Sequence, residues 1–408
     1  MAFIKEDICM KEMILKLAKE LQPKLQEIRR DLHRHPEVGF ELTYTKEKVK
    51  NELLSMGYEP IECGKAGIVA VVGGKKQGKT ILLRADMDAL PIQEEANVEY
   101  ISENNGRMHG CGHDMHTTML LGAAKILKKY EDEIEGCIKL MFQPAEEIFQ
   151  GSLDMINHGV LENPTVDAAV MIHVLAGMPI PTGTFVIPAG GISAASCEQY
   201  HITVRGKGGH GSTPHTAIDP ISAASKIQLS LQEIMSMELS KDTYGVFTTC
   251  KFEAGNASNI IPDTAQMWGT IRTADSTEQV GNYIKKRMTE IATGIGNAMR
   301  CEVTVDFYDY CPCMMIDEAL SNEVTVYLNE LRENSAFQQV TGSGGGSEDF
   351  AYVSHKVPTV GLFLAAGNKE EGYHYNIHNP KLVLDDSVLW MGSAAYAYIA
   401  LCWLKSKS

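Results

Sequence analysis

The sequence predicts an α/β protein with a second, α+β unit inserted into it. Three observations point there. Apolar strand-like runs alternate with helical patterns through the first part of the chain. After about residue 195 the pattern changes to half-exposed alternation, and beyond a glycine-rich loop the α/β character returns. The 408 residues exceed one ordinary core, which suggests two domains.

The elements follow in order. Leu17, Leu21, Leu25, Ile28 and Leu32 recur at spacings of four and three, one face of a helix. Pro23 marks a break or an early-turn position in it. Ile68–Val72 and Thr80–Arg84 are apolar runs of the kind found in a sheet buried on both faces. Residues 117–129 form a helix with Leu120, Leu121, Ala124 and Leu127 on its apolar side and lysines at its end, where the helix dipole favours cations. Cys137–Phe142 and Ala168–Val174 are two further buried strands. Residues 199–204 alternate as a half-exposed strand does. Asp219-Pro220 is a helix start, with Asp as N-cap and Pro at the first helical position, for a helix to about Met237. Strands near 245–253 and 264–273, a helix near 276–298 and a strand at 301–308 complete a βαββαβ unit. Thr359–Ala365 is again a buried strand. The expected division is a domain of residues 1–194 and 305–408, with a mixed sheet flanked by helices, and an insert of 195–304.

Composition narrows the function classes. The formal net charge is −15 and the pI about 5.4, which argues against nucleic acid or an anionic membrane as partner. Hydrophobic residues make up 44%, enough for a sizeable core. The first residues are interrupted by Lys5, Glu6, Asp7, Lys11 and Glu12, so no secretory signal is expected. No segment approaches the roughly 18 apolar residues of a membrane span. The 10 scattered cysteines are expected to be reduced and the protein cytoplasmic. Cys311-Pro312-Cys313 has no partner pair nearby and reads as structural. Gly73–Thr80 fits the phosphate-loop pattern GxxxxGK[ST], but that motif needs a following helix. Here a strand follows, so the segment is read as a hairpin turn.

The most informative stretch is Met108–His116, which packs three histidines, a cysteine and an aspartate into nine residues. Cys and His hold borderline-soft metals such as zinc. Gln143-Pro144-Ala145-Glu146-Glu147, His173 and His378 follow. Cys111 and His113 lie on a glycine-flanked loop before a helix, while Glu147 and His173 follow strand ends. Active sites of open α/β sheets form at such ends. Arg84-Ala85-Asp86-Met87-Asp88 reaches the same rim. Glu146 and Glu147 are adjacent and their side chains are expected to diverge, so that one binds metal and the other takes a proton.

These motifs resemble, in order and over nearly the whole chain, the metal-dependent amidohydrolase and metallopeptidase family of aminoacylases, hippurate hydrolase and indole-acetyl-amino-acid hydrolases. The matching segments are Arg30–Glu37, Arg84–Pro91, His109–His116, Phe142–Glu147, Gly209–His215, Asn259–Asp263 and Gly346–Ala351. Cys111-Gly112-His113-Asp114 marks the Cys-Gly-His-Asp subgroup. The resemblance implies that Cys111, His113, Glu147, His173 and His378 bind one or two divalent ions, zinc or manganese, with cobalt or nickel able to substitute in vitro. Cys111 would bridge two ions. A metal-bound water would attack the amide carbonyl of an N-acyl amino acid, with Glu146 as general base and later proton donor to the leaving amine. Asp88 would orient a ligand histidine. The insert would be a lid that also forms a homodimer or higher oligomer. His210 from the partner's lid would stabilise the oxyanion, and Asn259 and Arg272 would hold the substrate, Arg272 through its carboxylate. Val174-Leu175-Ala176 and the glycines 344–346 depart from the family pattern and leave the substrate open. A dipeptidase or aminopeptidase on the same scaffold is the alternative. A non-catalytic binding protein is a further one, disfavoured because Glu146 and every candidate ligand are present.

Overall fold

The computed structural model describes residues 2–339 and 346–407, with side chains from Met10 onward. Apart from Gly346, the glycine-rich stretch 342–346 lies outside the described residues. The chain forms two compact units. One holds the residues up to Gly191 together with 315–339 and 352–407; the other holds Ile192–Met314 and 346–351.

The larger unit is built on an eight-stranded mixed sheet: β1 (Ile61–Cys63), β2 (Gly67–Gly73), β3 (Lys76–Asp86), β4 (Glu135–Gln143), β5 (Ala168–Leu175), β6 (Phe185–Pro188), β7 (Ala336–Gln339) and β8 (Thr359–Ala365). Their order across the sheet is β1-β2-β4-β3-β5-β8-β6-β7. The central strands β4, β3, β5 and β8 run parallel to one another. Strands β1 and β2 are antiparallel to theirs. Residues of β3, β4 and β5 are buried on both faces, which is why they read as continuous apolar runs rather than alternating ones. The helices α1 (Ala2–Arg34), α2 (Thr43–Ser55), α3 (His113–Leu127), α4 (Glu318–Leu331) and α5 (Leu389–Ser406) flank the sheet. Of these, α1, α3 and α5 pack on one another, and α3 and α5 lie against β3.

Four expectations are corrected here. Helix α1 runs through Pro23 without a break. Losing one hydrogen bond to proline costs about 3 kcal/mol. Burial of Ile14, Leu17, Ala18, Leu25, Ile28 and Leu32 outweighs that. Helix α3 starts at His113, four residues before the expected start, because all its side chains except Lys125 are buried and no apolar stripe marks its first turn. In the Gly73–Thr80 segment only Gly74 and Lys75 form the turn, since β3 already begins at Lys76, and it joins no hairpin, since β4 lies between β2 and β3. The passage is tight: Gly74 N–H donates to Gly136 O (2.7 Å), and a Cβ on Gly136, at φ +91°, would lie 2.1 Å from the Lys79 carbonyl oxygen. Lastly, Asp386–Ser406 is long and apolar enough to cross a membrane by composition, yet most of its residues are buried within the protein. It is the core helix of the larger unit.

The second unit is the expected βαββαβ. Strands Cys197–Arg205, Gly245–Ala254, Thr264–Thr273 and Glu302–Cys311 form one antiparallel sheet. Helices Pro220–Glu233 and Gln279–Ala298 cover one face, burying Ile227, Leu231, Ile284 and Met288 against Tyr200, Ile202, Phe247, Met267 and Ile271. Asp219 caps the first helix through Ile221 N–H (2.9 Å). The expected boundary at 304/305 is displaced to 314/315, because Glu302–Cys311 pairs along Cys197–Arg205 and cannot be divided from it. The boundary at 194/195 moves to 191/192.

Lys139, on the central strand β4, is 2% exposed and donates to the carbonyls of Val160 (2.9 Å), Glu162 (2.7 Å) and Pro164 (2.9 Å). It ties the loop before β5 to the sheet. Lys139→Met is expected to leave three carbonyls short of a donor and to destabilise the protein by about 2–4 kcal/mol, measurable as a lower urea midpoint.

Candidate metal centre

Strands β3, β4 and β5 end at one rim of the sheet, and five candidate ligands gather there. Cys111 and His113 flank Gly112, which sits at φ +85° just before α3. A Cβ at Gly112 would lie 2.4 Å from Val174 Cγ2, so only glycine lets the loop press against the end of β5. His173 is on β5 itself. Its Nδ1–H donates to the Val174 carbonyl (2.7 Å), which leaves the Nε2 lone pair directed at Cys111 Sγ, 3.4 Å away. Glu146 and Glu147 stand on a single 3-10 turn after Ala145, itself at φ +55°. His378 arrives on the loop after β8. Its own backbone is left-handed (φ +66°), and its N–H donates to Gly110 O (2.7 Å). A left-handed conformation at a non-glycine residue is held only where surrounding contacts impose it.

The side chains meet. Donor atoms of Cys111, His113 and His173 lie within 4.8 Å of one another, as do those of Cys111, Glu147 and His378, and those of His113, Glu146 and Glu147. His378 Nε2 is 3.5 Å from Glu147 Oε1. Glu146 and Glu147 do not diverge as expected: each places a carboxylate oxygen 3.9 Å from His113 Nε2. Their surroundings still differ, since Glu147 also joins Cys111 and His378. Asp88 lies 3.5 Å from His113 Nδ1, and its hydrogen bonds go to the backbone N–H of Glu146 (3.0 Å) and of Glu147 (3.2 Å). Thus Asp88 clamps the glutamate turn as well as facing a histidine.

The electrostatics of the cluster are those of donors packed together away from water. Burial pushes the Cys111 thiol well above its ordinary pKa. Burial, aided by the Asp88 and Asp86 carboxylates, raises Glu147 to about 7. For His113 burial acts against the charged form, but the Asp86 carboxylate, Cys111 and Asp88 together outweigh it and the pKa rises. Both His113 ring nitrogens and Glu147 Oε1 are buried without a hydrogen-bond partner among the described residues. Buried polar atoms are ordinarily satisfied. A divalent cation would satisfy these and would favour the thiolate and carboxylate forms. The donor set of one sulfur, three imidazoles and a carboxylate suits such an ion.

The three candidates on the smaller unit are placed separately. His210 is exposed on a two-residue strand, Gly209–His210, paired with Ile260–Ile261. Its Nδ1 accepts from Ser212 N–H (3.1 Å), so its ring proton is on Nε2 and free to donate. Asn259 is exposed, and its carbonyl accepts from Gly211 N–H (2.8 Å) beside that strand. Arg272 is half-buried and donates to Ser347 Oγ (2.5 Å).

Comparison with known proteins gives the family. Residues 82–401 match the family model described as peptidase family M20/M25/M40. The chain belongs to that family. It is 32% identical to N-acetylcysteine deacetylase of Bacillus subtilis over 95% of this chain and 99% of that protein. It is 37% identical to thermostable carboxypeptidase 2 of Saccharolobus solfataricus, over 94% and 96%. The crystal structure of the Bacillus subtilis YXEP protein, described as a dinuclear metal binding peptidase from the M20 family, superposes with a TM-score of 0.78. It shares 30% identity and covers 95% of this chain and 99% of that one. This M20/M25/M40 member is a metal-dependent hydrolase of amide bonds.

Sequence reasoning placed Asp86 on this rim without giving it a task. Asp86 lies 3.5 Å from His113 Nε2 and is fully buried. Burial opposes its charge, yet the Arg84 guanidinium, with Nη1 at 2.7 Å, holds its carboxyl well below the usual range. Arg84 Nε in turn donates to Gln143 Oε1 (2.8 Å). The single charged pair two residues apart in Arg84-Ala85-Asp86 was the available signal.

Stripping with a chelator is expected to lower the melting temperature, and adding back zinc or manganese to restore it. Cys111→Ser is expected to reduce bound metal per chain, read by elemental analysis, while far-ultraviolet circular dichroism stays unchanged.

Proposed function

We propose that the enzyme cleaves the amide of N-acyl amino acids or small peptide-like conjugates, releasing a carboxylate and an amino acid. The observation that carries this reading is the cluster of five ligand-type side chains, with Cys111, His113 and His173 buried, Glu147 half-buried and His378 exposed, and a sixth group, Glu146, beside it. Cys111, His113, Glu147, His173 and His378 would hold one or two divalent ions, zinc or manganese. Such an ion supplies Lewis acidity to the carbonyl and acidifies water.

The remaining chemistry belongs to the chain. Glu146 places a carboxylate oxygen 3.9 Å from His113 Nε2, beside the ligand cluster, where it would take a proton from the attacking water and return it to the leaving nitrogen. Asp88 fixes the turn that carries Glu146, so the base is held in place. With its proton on Nε2, His210 is suited to donate to a developing oxyanion. Arg272 would take the substrate carboxylate and Asn259 another polar group of the substrate. The smaller unit would act as a lid and as the surface for a homodimer, through which His210 would serve a partner's site. With its thiols kept reduced, the enzyme would be cytoplasmic.

Deacetylase and carboxypeptidase activities named for relatives favour substrates with a carboxylate beside the scissile amide over those recognised by a free amine. Rates on acetyl-, benzoyl- and indole-acetyl-amino acids, measured beside free dipeptides, test this. The acyl compounds should be hydrolysed, and activity confined to dipeptides would overturn the assignment. Glu146→Gln should keep its metal and lose a factor of about 10² to 10⁴ in kcat.

A further inference from the structure

The parallel pairing of β3 with β5 stops at Arg84↔Met171. Beyond it β3 continues beside β4 as far as Asp86↔Gln143, while β5 continues beside β8 to Leu175. The two strands part where the site lies. Backbone N–H groups of β5 on the β3 side then lack a strand partner, and buried donors of this kind must be satisfied. Two side chains do so. Tyr396 Oη accepts from Ile172 N–H (2.8 Å) and donates to Arg84 O (2.6 Å). His116 Nε2 accepts from Val174 N–H (2.9 Å).

The second bond sits directly after His173. Accepting from an N–H requires the lone pair on Nε2, so the ring proton of His116 is on Nδ1. That proton meets Asp86 Oδ1 at 2.6 Å, while Asp86 Oδ2 is held by Arg84 Nη1 at 2.7 Å. All three side chains are at most 1% exposed. Both nitrogens of His116 are therefore committed, although it stands beside the cluster, with its ring centroid 4.5 Å from that of His173. Val174 also supplies the carbonyl that orients His173 through Nδ1–H. One residue thus receives His116 on its N–H and directs His173 with its C=O.

We propose that His116, backed by Asp86 and Arg84, is a positioning residue that sets the aim of His173 through the backbone of Val174. This rests on the reading of His173 as a metal ligand. His116 touches no substrate and ligates nothing; it holds the strand end that points the imidazole.

Three variants test it, each assayed for zinc affinity by competition with a chromophoric chelator, for metal stoichiometry, and for the visible spectrum of the cobalt-substituted protein. His116→Leu removes the acceptor and should weaken metal binding about 10- to 100-fold and shift the cobalt bands. His116→Gln keeps an acceptor oxygen near the Nε2 position and should restore affinity to within a few-fold of the wild type. His173→Ala should lose affinity outright. Wild-type affinity in His173→Ala would remove the ligand reading itself. Loss in His173→Ala with wild-type affinity in His116→Leu would overturn only the positioning role. Equal loss of an ion in both His116 variants would make His116 a ligand and overturn it too. Should His116→Leu not fold, nitrogen-15 shifts of the wild-type imidazole decide. The proposal requires a protonated Nδ1 and a bare Nε2, and the opposite tautomer or an imidazolium would end it.

Discussion

Everything at this rim depends on crowding a thiol, imidazoles and carboxylates into a space from which water is largely excluded. Burial disfavours the charged form of each, and charges of one sign raise one another's cost. The chain meets part of that cost with fixed partners: Arg84 for Asp86, and the glutamate backbone for Asp88. It leaves the His113 ring nitrogens and Glu147 Oε1 without a hydrogen bond among the described residues. Satisfying one half of a cluster with side chains and leaving the other half open is what a resident cation requires. If structure alone were the purpose, an apolar replacement of the same volume would be the more stable solution.

The fold was legible where local pattern and tertiary setting agree. The β5 and β8 runs are short, apolar and β-branched, and they are strands because a central parallel sheet buries both faces. Asp219-Pro220 carried its own capping chemistry and needed no tertiary information. The misread elements are those in which a long-range contact overrode a local signal. Helix α1 absorbs Pro23 because its apolar face is buried, and the first turn of α3 carries polar residues that are all inside. Nothing near Gly73–Thr80 reveals that a strand from residue 135 onward slots between its flanks.

The site divides along the same line. Cys111, His113, Glu147, His173 and His378 could be proposed from residue type and from their places at strand ends, because a metal needs those donors wherever they come from. The groups behind them could not be ranked. His116 lies three residues from His113, on the next turn of the same helix, and by composition it is as good a ligand. What separates the two is only which atoms they face and how closely: a carboxylate and a backbone N–H within hydrogen-bonding distance for His116, carboxylates at 3.5 to 3.9 Å with no hydrogen bond among the described residues for His113. That distinction is created by the register of β3 against β5, a quantity no single segment encodes.

The parting of β3 from β5 therefore has two consequences of opposite sign. It opens the sheet at its carboxyl rim, so side chains from three strands and a helix start can converge without a ladder filling the space. It also strips strand β5 of backbone partners just where His173 must be aimed, and an unsupported strand end would let the imidazole drift. A displacement of about 1 Å is enough to cost a catalytic site much of its activity. Tyr396 and His116 restore the lost bonds with side chains drawn from different helices, one on each side of His173 in sequence. A side chain can supply a hydrogen bond without occupying the volume of a strand. The opening and the rigidity, which a regular sheet would set against each other, are thereby obtained together.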